Sequence, residues 1–421
     1  MLTRLEIENY RSLRSVSVDL PAFSAMVGPN AAGKTNFADA IDFLSIVAKS
    51  GLPQAITAKG GYDNLCFRRA RRAKGPVRFR LQIDNMDLPY DPDMREYRLT
   101  YEFAFRAAAP NIRTEILVAM ESLLIERREE DTWELFLHLR KENEDVSIRH
   151  GTTDPAEKIA VHLGRLFQSG SGLSDPTELL ILSQLRGLAP FSYLNDFIIG
   201  FRLFQVAPSE ARRPASASGT KEMGRYGENL PAALDALRRE HPQQFEQLLH
   251  FLQLAVPTVE KIKLQYGPTR ELGLYLKEKG MSRDQYSSEL SDGTLRAIAL
   301  FLPIVDPRYT LVVIEEPENC IHPWVIRQFV EACRDSATSS GKQILLTTHS
   351  PVLVSKLYPE ELFLADREDG QTSIRPATQV EESLEQVIQQ GIIDLGSYWD
   401  SGAMKAVPVQ PTLFEEASRE D

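Results

Sequence analysis

Polar and hydrophobic positions change period several times along this chain. Leu5 and Ile7, then Val16, Val18 and Leu20, alternate with polar neighbours, and Phe23 to Val27 is a largely apolar run with only Ser24 polar. Alternation marks half-buried strands and a short continuous run marks a buried one, so three strands are expected at the start. After Thr35 the apolar positions Phe37, Ile41, Leu44 and Val47 recur at helical spacing. A strand, a glycine-containing loop and a helix therefore follow one another. Period two returns from Val77 to Leu139, in the sets Val77, Phe79, Leu81, Ile83, then Leu99, Tyr101, Phe103, Phe105, then Trp133, Leu135, Leu137, Leu139. Such alternation predicts an antiparallel sheet.

Pro155 to Phe204 reads as mainly helical, and Asn229 to Leu254 as two short helices split near His241 and Pro242. Between them, Pro208 to Gly219 is a Pro/Ala/Ser/Gly/Arg stretch with little to bury, expected to be a mobile loop. Thr310 to Ile314 and Gln343 to Thr347 are buried-strand runs, each followed by a helical pattern, as a parallel sheet requires. The fold class is α/β. Four units are expected: 1–150, a lobe with the first loop and helix and the antiparallel sheet; 151–270, a mainly helical insertion or lid; 271–408, a second lobe; and 409–421, a polar, acidic, flexible tail. The insertion has no sustained heptads, which excludes a long coiled coil.

Composition narrows the function classes. The chain has 421 residues, 43% of them hydrophobic, enough for a large core, and no run approaches the roughly 18 apolar residues of a membrane helix. Cys66, Cys320 and Cys333 form no paired motif and are expected to be buried thiols in a reducing cytoplasm. A net charge of -11 makes the surface repel nucleic acid overall. Against that background Arg68, Arg69, Arg71, Arg72, Lys74, Arg78 and Arg80 form a local basic cluster with no acid among them. It suits a phosphate backbone or an acidic partner as well as it suits a solvated loop, and both readings stay open.

The chemistry is concentrated in four places. Gly28-Pro29-Asn30-Ala31-Ala32-Gly33-Lys34-Thr35 fits GxxxxGK[ST] and lies between an apolar strand and a helix, where backbone N–H groups can cradle phosphates. Lys34 would reach the β and γ oxygens and Thr35 would ligate Mg²⁺. A glycine turn that merely caps a helix has the same composition, but both flanks favour the phosphate loop. The strand Thr310 to Ile314 delivers Glu315 and Glu316 to its carboxyl end, where open α/β sheets bind ligands. Glu315 would hold Mg²⁺ through water and Glu316 would polarise an attacking water. Glu315 stands where the usual motif has aspartate, one methylene shorter, which bears on metal geometry and rate. His349 follows the second buried strand and is a candidate γ-phosphate sensor. Leu290-Ser291-Asp292-Gly293-Thr294 opens a helical segment and matches LSxG[TQ].

In this order and with so long an insertion, these motifs resemble the ABC-type ATPases of the RecF, SMC and OLD group. The resemblance is strongest to stand-alone AAA ATPases of the RecF/OLD-like type, many of them from bacterial anti-phage systems. It rests on Leu5-Glu6-Ile7-Glu8-Asn9-Tyr10-Arg11-Ser12-Leu13, the phosphate loop, Ser291 to Thr294, and Ile314 to Asn319 with Ile321, His322 and Pro323. His349 and the late Leu395-Gly396-Ser397-Tyr398-Trp399 extend it, while the middle of the chain matches loosely. The resemblance implies an ABC-type head in which Asn30, Ala31, Ala32, Gly33, Lys34, Thr35 and Asn36 bind ATP. Ser291, Gly293 and Thr294 would then touch the γ-phosphate held by a second copy, with Glu318 and Asn319 near the seam. It implies Mg²⁺ at Thr35 and Glu315, catalysis by Glu316 and His349, and a homodimer or higher oligomer.

OLD-type proteins carry a Toprim-class nuclease after the ATPase, and too few residues follow His349 for one here, where Asp366 to Asp369 reads as a turn. A separate effector, a nuclease or toxin, is therefore expected. Two alternatives stand beside this reading: a RecF-like repair ATPase acting on DNA directly, and a nucleotide-locked scaffold with little turnover. A transporter subunit is disfavoured, because the insertion replaces the compact helical subdomain expected there.

Overall fold

The computed structural model describes residues 1–69, 72–73, 75–86, 96–109, 112–142, 145–168, 180–216, 219–267, 270–380, 394–402 and 404. The tail expected at 409–421, and Arg71 and Lys74 of the basic cluster, lie outside the described residues. Two large sheets organise the rest. Seven strands form an antiparallel sheet in the order Asp145–His150, Thr132–Glu142, Ile112–Glu129, Tyr97–Ala109, Val77–Met86, Leu2–Tyr10, Leu13–Asp19. A six-stranded sheet runs Phe201–Phe204, Leu311–Glu315, Gln343–Thr348, Phe23–Val27, Leu362–Glu368, Gln371–Pro376. Its first five strands are parallel, and the sixth returns as a hairpin.

The unbroken apolar strands are explained by two-sided burial. Leu311, Val313 and Leu345 share a core with Phe37, Ile41, Phe43 and Leu44 of helix Lys34–Ser50 and with Phe79, Phe103 and Phe105 of the antiparallel sheet. Val312, Ile314, Ile344 and Leu346 face the opposite way, into a core with Ile298 and Phe301 of helix Asp292–Val305 and Phe329 of helix Pro323–Ser340. Alternate residues of one strand thus serve two cores, and no position is left for a polar side chain until the strand ends. In the first core Phe43, Phe79 and Phe103 stack in series, with ring centroids 5.5 and 5.4 Å apart. Each buried ring contributes about 1.5–3 kcal/mol of transfer free energy.

The region expected as a helical lid is built into this body. Helix Asp154–Gln168 contributes Ala156 and Leu163 to the first core, while Leu230–Glu240 and Pro242–Ala255 contribute Leu234 and Leu248 to the second. Between them, Phe201–Phe204 is the edge strand of the parallel sheet, beside Leu311–Glu315. Four residues including Arg202 are too short and too polar a run to announce a strand. In the stretch expected as a mobile loop, residues 217 and 218 lie outside the described residues, and the part from Pro208 to Ser216 is ordered. It holds the short helix Pro208–Ala211 and strand Ala215–Ser216, which pairs with Glu271–Glu278, and Ala211 and Ala215 are fully buried. Small side chains left little apolar signal, and the segment is held through its backbone and its arginines instead. Asp366 to Glu368 belongs to a strand; the turn is Asp369-Gly370, both with positive φ, a pairing suited to a tight hairpin. Cys66 and Cys333 are buried as expected, whereas Cys320 is exposed. Among the described residues no helix is long and apolar enough to cross a membrane.

Candidate active site

The phosphate loop leaves the strand Phe23–Val27 and turns into helix Lys34–Ser50 through two left-handed residues, Ala31 (φ 65°) and Gly33 (φ 106°). At Gly33 a methyl group would lie 2.0 Å from Thr372 Oγ1, so glycine is required twice over, by φ and by space. Thr372 Oγ1 donates to Ala32 O at 2.9 Å and shares a 2.7 Å hydrogen bond with Ser12 Oγ, which in turn accepts from Asn36 Nδ2 at 2.6 Å. The turn is thereby tied to both sheets. The helix opens onto a cavity of about 300 Å³, lined by all seven residues from Asn30 to Asn36 and by Glu316, Thr347 and Arg367. Its first N–H groups have no partner within the helix and carry the positive end of the dipole. Lys34 Nζ is buried and donates to Gly28 O and Pro29 O at 2.6 and 3.0 Å. Burial lowers its pKa, and the carboxylates of Glu316, Glu318 and Glu315 oppose that shift.

Of the two strand-end carboxylates, one enters the cavity and the other turns away. Glu316 sits at φ 47°, its N–H bonded to Thr347 O at 2.8 Å, and its carboxylate accepts from Asn319 Nδ2 at 2.8 Å. His349 Nδ1 lies 3.3 Å from Glu316 Oε1. A non-glycine residue in this region stores about 1–3 kcal/mol, tolerated where the surroundings fix it. Glu315 is 3% exposed, lies outside the cavity lining, and accepts from Arg225 Nη2 at 3.0 Å. Glu318 accepts from Thr348 Oγ1 at 2.6 Å and from the His349 N–H at 3.2 Å, which fixes the histidine loop.

Among the described residues no group of three or more His, Cys, Asp and Glu side chains could hold a metal ion unaided. Mg²⁺ of the phosphate-bound kind takes one or two protein oxygens and fills its shell from phosphates and water. Thr35, exposed and in the lining, fits such a role directly, and Glu315 fits it only through water.

Ser291, Gly293 and Thr294 are absent from the cavity lining. They form the start of helix Asp292–Val305, where Ser291 Oγ accepts from the Thr294 N–H at 3.1 Å and Ser291 is exposed. From this helix Arg296, 5% exposed, donates to Val206 O and to Glu316 O, each at 2.7 Å. One buried guanidinium therefore joins helix Asp292–Val305 to the backbone of Glu316.

Several of these residues escaped sequence reasoning. Arg296 carried a signal, a lone cation in an otherwise apolar helical run, but Arg225 and Arg367 carried none. Gln205 follows the strand Phe201–Phe204, whose Phe204 pairs with Ile314, so it stands level with Glu315 at the same sheet edge. Recognising it required seeing that strand. The basic cluster is partly neutralised: Arg78 pairs with Glu102 at 2.6 Å and with Glu8 at 3.3 Å, and Arg80 lies 3.7 Å from Glu6.

The profile of a family described as "AAA domain, putative AbiEii toxin, Type IV TA system" matches residues 23–355. The OLD nuclease of Thermus scotoductus is 25% identical over 390 residues, which cover 88% of this chain and 63% of that protein. The chain thus spans less than two thirds of that relative's length. The chromosome partition protein Smc of Methanocaldococcus jannaschii is 46% identical over 44 residues, 10% of this chain and 4% of that protein. Among solved structures, an Smc head bound to the C-terminal winged-helix domain of ScpA superposes with a TM-score of 0.51 at 14% identity, covering 89% of this chain and 97% of that one. This likeness shows the fold, that of an SMC head.

Proposed function

The chain belongs to that AAA domain family, as an ABC-type ATPase of the RecF/SMC/OLD group, and from that premise we propose that two copies close head-to-tail on two ATP molecules. The cycle of closure and hydrolysis would control a separate effector, a nuclease or toxin, in anti-phage defence. One observation carries the composite-site reading: the parts of an ATPase site are divided. The cavity has the phosphate loop, Lys34 and Glu316, while the signature residues Ser291, Gly293 and Thr294 face outward elsewhere. A second copy supplies what the first lacks.

In this reading the helix N-terminus and Lys34 hold the triphosphate, Lys34 exchanging the carbonyls of Gly28 and Pro29 for phosphate oxygens. Thr35, with Glu315 and Gln205 reaching through water, would hold Mg²⁺, which when bound would supply positive charge to the triphosphate. Glu316 takes the proton of the attacking water. Asn319 orients one of its oxygens, and His349, beside the other, is placed to sense the γ-phosphate. The effector part of the proposal draws on the family's description as a toxin of a TA system and on the OLD nuclease relative. Nucleic acid as a direct partner loses support where Arg78 and Arg80 are already paired with Glu102, Glu8 and Glu6.

The test is steady-state phosphate release by wild type and Glu316→Gln. The variant is expected to bind ATP normally and to hydrolyse it about 10²–10⁴-fold more slowly, the usual contribution of a general base. Unchanged release by the variant would remove Glu316 from the mechanism, and a wild type that neither binds nor hydrolyses ATP would refute the reading. DNA-stimulated turnover by the chain alone would favour direct action on DNA over control of an effector.

A further inference from the structure

The signature turn is braced by a residue from a distant part of the chain. Arg212 follows the short helix Pro208–Ala211, in the segment that leaves Gln205. Its Nη1 donates to the carbonyl oxygens of Ser287, Ser288 and Leu290, each at 3.0 Å, and its Nη2 pairs with Asp292 Oδ1 at 2.5 Å. Ser287 Oγ donates back to Arg212 O at 2.8 Å, so main chain and side chain grip the same turn. Three carbonyls converging on one nitrogen repel each other unless a cation lies between them, and the planar, permanently charged guanidinium meets that need while also reaching a carboxylate.

The charge on Asp292 matters as much as the geometry. Asp292 is the first residue of the signature helix, between Ser291 and Gly293, and its side chain is 62% exposed. A carboxylate there stabilises its own helix through the dipole. It also stands where a γ-phosphate would have to arrive, and two anions at such a distance repel. Pairing with Arg212 removes that opposition and leaves the Ser291 hydroxyl and the helix N–H groups as the groups presented outward.

We infer that Arg212 is a positioning residue for catalysis in trans: it shapes the Ser287–Asp292 turn and cancels the Asp292 charge so that this edge can receive the γ-phosphate of a second copy. The inference rests on the paired-site reading above. The Arg212–Asp292 pair, with Asp292 62% exposed, contributes weakly to stability by itself, whereas the carbonyl bonds also hold the Pro208 segment, so the test must separate folding from positioning.

The experiment is complementation between variants. Arg212→Ala is expected to bind ATP in its own cavity as wild type does and to lose about 10–100-fold in hydrolysis, the scale of an ångström-level misplacement. Mixed with Lys34→Ala, which keeps an intact signature turn, it should regain activity, because one composite site then combines the loop of one chain with the turn of the other. Mixed with Ser291→Arg it should regain none, since both chains lack a working turn. A residue needed only for folding would not divide its partners in this way. Should Arg212→Ala fail to fold, Arg212→Lys keeps the charge without the planar fork and carries the same comparison.

Wild-type turnover by Arg212→Ala would overturn the inference. So would failure of Lys34→Ala to restore it while the same variant restores Ser291→Arg. If Lys34→Ala and Ser291→Arg do not complement each other, the paired-site reading itself fails, whatever Arg212 does.

Discussion

Two helices of this molecule start on short glycine-containing turns, and they are built in opposite ways. Lys34–Ser50 begins inside a cavity: Lys34 is 8% exposed, Gly33 is wedged against Thr372, and Glu316 of the same chain stands opposite. Asp292–Val305 begins at the surface, with Ser291 exposed and its hydroxyl bonded to Thr294 of the same turn, although the rest of the helix is buried from Leu295 onward. A turn that serves its own cavity is enclosed by its own chain. One that is braced yet faces outward is open to meet something else, as the proposed second copy would require.

The comparison breaks most sharply under paired substitutions. Lys34→Ala should abolish both ATP binding and hydrolysis, whereas Ser291→Arg should lower phosphate release by about 10²-fold or more and leave ATP binding by a single chain intact, since misplacing one group costs on that scale. Fluorescent-nucleotide titration beside a phosphate assay separates the two. Equal loss of binding in both variants would put the signature turn inside the chain's own cavity.

The two glycines give a smaller contrast. Gly33→Ala meets a left-handed backbone and Thr372 together, and should cost about 1–3 kcal/mol of stability. At Gly293 an added methyl would stop 3.3 Å from Cys320 O, a tight contact with backbone but not an overlap, so Gly293→Ala should cost less stability than Gly33→Ala while hydrolysing poorly. Thermal melts of both variants check the ordering.

The smallest effect concerns the far end of the signature helix. There Lys342 Nζ donates to Pro303 O and Asp306 O, and burial pushes its ammonium down to about 7 from an ordinary 10.5. Below about pH 7 the lysine is protonated folded and unfolded, and the cost of burying the charge is fully present. Between about pH 7 and 10.5 only the unfolded chain keeps the proton, so stability relative to Lys342→Met should rise with pH across that window and be flat below it. Urea melts of the pair across pH read the slope, and a flat difference throughout would remove the buried charge from the account.

What could be read from the sequence was whatever chemistry confines to a few consecutive residues. The phosphate loop, the strand ending in Glu315 and Glu316, the serine-glycine turn and His349 each carry their geometry in local spacing. The two-sided burial of Leu311 to Ile314 is likewise legible as an unbroken apolar run. What escaped depends on partners far along the chain. Arg212 finds Ser287 to Asp292 and Arg225 finds Glu315, with nothing local to mark them, while Arg296, marked only as a lone cation in an apolar helix, finds Val206. The order of Pro208 to Ser216 is invisible for the same reason, because it comes from Arg212 and from backbone pairing and not from apolar area. Gln205 became visible only with the four-residue edge strand before it.

The most direct test of the divided site is the mass of Glu316→Gln in solution, measured by light scattering in Mg-ATP and again in Mg-ADP. The account predicts a mass near twice that of one chain in ATP and a fall in ADP, with no doubling when Ser291→Arg is added to the same chain. A variant saturated with ATP that keeps the same mass in both nucleotides would contradict it.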